Sequence, residues 1–128
     1  MVKVDQNHTI YAGNKVTLQY TVVDEDNGDA PFDLTANAPI IRWAMSRISG
    51  SNYLTAPLFE KTLAAGDIVV SGAGNEIASV TLVGADTGTP ANNYVGDFYT
   101  ELELVDGAGE SIVVATGTLT IRSNVVNA

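Results

Sequence analysis

The sequence contains no cysteine, which removes whole classes of chemistry. Disulfide frameworks, thiol nucleophiles and cysteine zinc sites are excluded. His8 is the one histidine, so multi-histidine metal centres are excluded as well. Basic residues are scarce: 6 Lys and Arg stand against 15 Asp and Glu, a formal net charge of −9. Phosphate is bound by clustered Lys and Arg, so nucleic acid is not an expected partner. No apolar run approaches the roughly 18–20 residues that span a bilayer, so no membrane partner is expected either. The start, Met1 to His8, lacks the charged opening and apolar stretch of a signal peptide. That points to synthesis in a cytoplasm and not to a standard secretion route.

What is present is apolar and β-forming. Hydrophobic residues make up 45% of 128 residues, enough for one domain with its own core and too many for a disordered chain. The expectation is a single domain over 1–128, with its core over about 9–122 and flexible ends on either side. Alternation is the main signal. Val16, Leu18, Tyr20 and Val22 point one way, and Thr17, Gln19 and Thr21 the other, a period of two that marks a half-buried strand. Ile41, Trp43 and Met45 alternate with Arg42, Ala44 and Ser46. Ala78, Val80 and Leu82 alternate with Ser79 and Thr81. Phe98, Leu102 and Leu104 oppose Asp97, Tyr99, Glu101 and Glu103, and Leu119 and Ile121 face inward near the end. Shorter strands are read at Phe59–Leu63 and from Ile68 to Val70.

Turn chemistry separates these runs at Asp26–Asp29, Ser49–Asn52, Gly72–Asn75 and Asp106–Gly109, the last marking a hairpin. Gly84–Gly88 reads as a short helical turn, and Gly117 as a bulge. The expected fold is all-β: a two-sheet immunoglobulin-like β-sandwich of seven or eight strands without a disulfide, with a β-barrel as the alternative.

Motifs of catalysis are missing. There is no Gly-x-Ser-x-Gly, His-Glu-x-x-His or phosphate loop. A serine triad would need His8, which reads as an exposed polar residue near a terminus. Glu101 and Glu103, two apart on one strand face, have the spacing of a glycosidase pair, yet read as a solvated outer face. Asp24, Asp26 and Asp29 form the densest acidic run and the weak surface candidate for calcium; the spacing does not match a calcium-binding helix–loop–helix. Trp43 reads as core, whereas Tyr99, on the polar face of its strand, is the interface candidate among the aromatics. Val125 and Val126 form an apolar pair in the C-terminal tail, a second interface candidate suited to strand addition. No cofactor is expected.

The order of motifs resembles a known module. Asp24-Glu25-Asp26-Asn27-Gly28 is followed by Phe32-Asp33-Leu34-Thr35 and Ile41-Arg42-Trp43, then Phe59-Glu60-Lys61-Thr62-Leu63 and Gly66-Asp67-Ile68. Val80-Thr81-Leu82, Ala85-Asp86-Thr87, Tyr94 to Tyr99 and Thr116 to Ile121 complete the series. Together, over about residues 9–122, they resemble the small immunoglobulin-like module of tailed-bacteriophage structural proteins, similar to the N-terminal domain of the phage baseplate upper protein family. The resemblance implies a non-enzymatic virion protein with no catalytic residues. A capsid decoration or accessory protein fits the short chain better than a baseplate scaffold. Its implied partners are other virion proteins, major capsid or tail, with a homo-oligomer possible. The alternative is a tail or baseplate adsorption module that contacts host-surface glycan.

Overall fold

The computed structural model describes residues 4–35, 40–47, 57–88, 94–105 and 107–123, with backbone alone for Val4, Asp5 and Glu25. The strands are β1 (Val4–Asp5), β2 (His8–Tyr11), β3 (Val16–Thr21), β4 (Val23–Asp24), β5 (Ala30–Pro31), β6 (Ile40–Arg47), β7 (Phe59–Thr62), β8 (Ile68–Ser71), β9 (Ile77–Leu82), β10 (Gly96–Val105) and β11 (Ser111–Arg122). A 3-10 turn occupies Glu25–Asn27, and one short helix, α1 (Gly84–Thr87), precedes β10. Among the described residues eight strands have four residues or more, in line with the seven or eight expected; β1, β4 and β5 have two residues each, too few to show a period.

The strands form two main sheets. In the larger, β11 pairs with β10, β10 with β6 and β6 with β7, all antiparallel. β1 and β2 run parallel to the other edge of β11. The smaller sheet has the order β3-β9-β8, also antiparallel. β4 and β5 make a separate two-stranded ribbon. The fold is the expected two-sheet sandwich and not the barrel. The hairpin expected near Asp106 joins β10 to β11.

The inner faces supply the core. Leu18 and Tyr20 of β3, Ala78, Val80 and Leu82 of β9, and Ile68 of β8 are buried on one side. Ile41, Trp43 and Met45 of β6, Phe98, Leu102 and Leu104 of β10, and Leu119 and Ile121 of β11 are buried on the other. At about 1.5–3 kcal/mol for each large apolar side chain removed from water, this set supplies the main driving force. No disulfide links the sheets; Tyr20 and Trp43, both fully buried, meet in the middle.

Two expectations about the last strand and the N-terminus change. The β10–β11 register shifts between Leu102, opposite Ala115, and Glu103, opposite Val113. Val114 is thus the extra residue, and the bulge lies three positions before Gly117. It lets both Val114 and Ala115 be fully buried, a break in alternation that two small apolar residues tolerate. Gly117 pairs regularly with Thr100. Its missing Cβ serves a different need: a Cβ there would collide with the Gln6 carbonyl. The N-terminal segment, expected as a loose end, is in the sheet from Val4 onward. β1 and β2 keep one register along β11 and are interrupted at Gln6 and Asn7, where the Gln6 N–H donates to the Thr116 carbonyl (2.8 Å) and the Asn7 side chain accepts from the Thr118 N–H (2.9 Å).

Candidate functional site

The outer face of the larger sheet concentrates the polar chemistry. β10 lies between β11 and β6, so its outward side chains are flanked on both sides. Residues directly opposite across strands share a face. Tyr99 thus lies between Ser46 and Thr118, Glu101 between Ala44 and Thr116, and Glu103 between Arg42 and Val113. This central position corrects the reading of the two glutamates as solvated. Glu103 is 9% exposed, and one oxygen of Glu101 is buried.

Each carboxylate has its own partner. The Arg42 guanidinium donates to Glu103 Oε1 at 2.7 Å and reaches Glu60 Oε1 on β7 at 3.4 Å. The Tyr99 hydroxyl donates to Glu101 Oε1 at 2.5 Å. Asp97 accepts from the Thr120 hydroxyl at 2.8 Å. Among the described residues, Glu101 Oε2 and the Ser46 hydroxyl are buried without a hydrogen-bond partner. Tyr99 itself is half-buried, so it is not the freely exposed ring expected of it; among the described tyrosines Tyr11 is the open one, 50% exposed. Toward one end the face turns apolar: Ile40, 62% exposed, lies opposite Val105. The arrangement suits recognition. Glu103, Glu101 and Asp97 each accept a bond from a neighbouring side chain, Arg42, Tyr99 and Thr120 respectively.

The other candidate residues fall elsewhere. Asp24 spends a carboxylate oxygen on the Asp26 N–H (3.1 Å), capping the 3-10 turn. Asp26 and Asp29 are exposed, and Asp29 takes a left-handed conformation (φ 59°) that closes the turn. Among the described residues no three acidic or imidazole side chains are grouped to hold a metal, so these aspartates gain no support as calcium ligands. Val125 and Val126 lie outside the described residues, as do Ser49–Asn52 and Tyr53.

His8 is not the exposed residue expected. It is half-buried on β2, its ring edge-on to Tyr20 with centroids 5.3 Å apart. Burial lowers its pKa, and a bond to the Gln19 backbone carbonyl partly opposes that. His8 thus ties the edge of one sheet to the edge of the other. A comparable tie closes the opposite flank, where Lys61 of β7 pairs with Asp86 of α1 at 2.8 Å, both side chains largely buried. Arg42, Ser46 and Glu60 were not singled out from sequence. The signal was there for Arg42, an outward residue beside Trp43, but its partner became visible only with the β6–β10 register.

No family model matches the chain, and no curated protein matches it. Among solved structures it is similar to a chicken TCR, at a TM-score of 0.54 and 10% identity, with 97% of this chain covered. The chain spans 56% of the length of that TCR chain. It also aligns with CopC from Methylosinus trichosporium OB3b at a TM-score of 0.42 and 8% identity, covering 93% of this chain and 85% of that one. The first likeness, with the sheet order above, defines the class: an all-β immunoglobulin-like sandwich.

Proposed function

We propose that the chain is a non-enzymatic structural module of a tailed-bacteriophage particle, a capsid decoration or accessory protein that docks on other virion proteins. The docking surface is the outer face of the larger sheet. The observation that carries this choice is that the carboxylates of this face already hold donors: Arg42 is paired with Glu103 and Glu60, and Glu101 and Asp97 each accept from a hydroxyl, so a partner has fewer unmet carboxylate oxygens to desolvate. Ile40 and Val105 add apolar area at one end. The particle setting is supported by the order of short motifs from Asp24 to Ile121. A particle surface repeats one site many times, so even a weak contact is occupied there. The net charge of −9 keeps such a module soluble at high copy number and away from packaged nucleic acid.

The test is electron microscopy of purified particles carrying the labelled protein, with Ile40→Glu as the docking variant. Stoichiometric copies on the head, lost with Ile40→Glu, support the reading. Absence from particles overturns it. Copies confined to the tail, with binding to host-surface glycan, favour an adsorption module instead.

A further inference from the structure

The smaller sheet carries a feature that the docking face does not use. No residue of β3, β8 or β9 is charged, in a chain with 15 acidic side chains. The outward residues of β3, Thr17, Gln19 and Thr21, are all exposed. Among the described residues β3 pairs with β9 alone; no strand pairs with its other edge, where the His8 side chain reaches the Gln19 carbonyl.

The direction of the open hydrogen-bonding groups follows from the register. In an antiparallel pair, alternate residues turn their N–H and C=O groups toward the partner or away from it. Opposite Thr17 is Thr81, and the Thr81 N–H is donated to Asp67 on the β8 side. The Val22 N–H is donated to Glu76 on the β9 side. Even positions of β3 therefore bond to β9, and odd positions point to the open edge. The bond from His8 to the Gln19 carbonyl agrees, because that carbonyl must face outward to be reached.

Exposed edges are commonly blocked by charge, proline, bulges or brevity. β3 has six residues in unbroken register and none of these devices. The edge at β7 differs: it has four residues, and they include Glu60 and Lys61.

We infer that β3 is a self-association edge, whose occupant is β3 of a second copy of this chain, paired antiparallel around a twofold axis at Gln19. Charge selects a copy of the chain as the occupant. Two molecules of net charge −9 repel least where they meet through uncharged strands, and β3, β8 and β9 carry no charged residue. The geometry is self-complementary. Gln19 lies opposite its own copy and Thr17 opposite Thr21, all on the outward face. The outward N–H groups of Thr17, Gln19 and Thr21 in both copies form about six new backbone bonds. The Gln19 carbonyl has two lone pairs and serves both His8 and the incoming N–H. Edge pairing covers less surface than a standard interface, so the dimer dissociates at roughly micromolar to millimolar concentration. A twofold axis normal to the sheet leaves both larger sheets facing one way. If the docking proposed above is correct, the dimer is bivalent toward the particle.

The test uses the whole chain in solution, without particles, so its outcome is separate from that of docking. Sedimentation over a concentration series should show a monomer–dimer equilibrium. Hydrogen exchange at the Thr17, Gln19 and Thr21 amides should slow about tenfold as the dimer fills. Gln19→Lys places like charges opposite each other at the axis and should give a monomer with unchanged melting temperature. Thr62→Lys on β7 should dimerise normally. A chain that stays monomeric to millimolar concentration overturns the inference. So does a dimer that survives Gln19→Lys, or one whose β3 amides exchange at the monomer rate.

Discussion

The indole N–H of Trp43 donates to the hydroxyl of Tyr20 across the middle of the sandwich, at 3.0 Å. Tyr20 belongs to the smaller sheet and Trp43 to the larger, so the bond joins the two layers. The hydroxyl also engages the Thr100 side chain, whose own hydroxyl donates to the Gly117 carbonyl at 3.3 Å. Burial holds the Tyr20 pKa above its ordinary value, so the group stays neutral and intact as a hydrogen-bonding centre. The Tyr20→Phe variant keeps the ring but leaves the Trp43 N–H buried without an acceptor. The expected cost is about 1–3 kcal/mol, because an orphaned buried donor forfeits its full solvation. Chemical denaturation checks it: the midpoint should fall while the dependence on denaturant stays the same.

His8 makes stability depend on pH. Its folded pKa is lowered below 6.5, first by desolvation, with the Gln19 carbonyl opposing. The unfolded chain therefore binds more protons than the folded one in that range. The contribution is fully present above the unfolded pKa and is lost as pH falls from about 6.5 through the lowered folded value. The folding free energy should decline between pH 7 and 5. His8→Asn should flatten that segment of the profile, and an equal slope in the variant would assign it to other groups.

How far the sequence revealed the fold depends on where each signal resides. Period two placed β3, β6, β9 and β10 correctly, because each buries one face and the pattern is local. Burial on both faces hid the rest. Ala44 and Ser46, on the polar side of β6, are 2% and 3% exposed; Ala44 lies between Glu101 and Glu60, and Ser46 lies opposite Tyr99. The pairing of Arg42 with Glu103, 61 residues apart, needs a strand register that no local pattern encodes. His8 was misread for the same reason: its partners Gln19 and Tyr20 are on the other sheet. Gly117 was read as a bulge, but it pairs regularly; the need for glycine comes from a backbone more than 100 residues away.

That cause can be tested directly. In Gly117→Ala the new methyl group occupies the place of the Gln6 carbonyl, so the segment between β1 and β2 must move off β11. Backbone gives way less easily than a side-chain tip, so a cost of about 1–3 kcal/mol is expected, typical of overpacking. The loss should be local. The Gln6 amide, bonded to Thr116, should lose hydrogen-exchange protection while β3 and β9 amides keep theirs relative to global stability. Uniform loss across both sheets would instead mean that Gly117 matters for the core as a whole.

Arg42 separates two kinds of ion pair on a single side chain. Its contact with Glu60 is long, and both side chains are more than a third exposed, so Glu60→Ala should change stability by no more than about 1 kcal/mol. Its bond to Glu103 is short, and the Glu103 side chain is 11% exposed. Arg42→Ala leaves that carboxylate nearly buried and unpaired, so it should cost several times as much, roughly 2–4 kcal/mol. Removing both charges together, as Arg42→Met with Glu103→Leu, should restore most of the loss, because the penalty comes from the stranded ion and not from the missing attraction. A double-mutant cycle on thermal or denaturant unfolding measures this. A double variant as unstable as Arg42→Ala would show that the loss does not come from the stranded Glu103 charge.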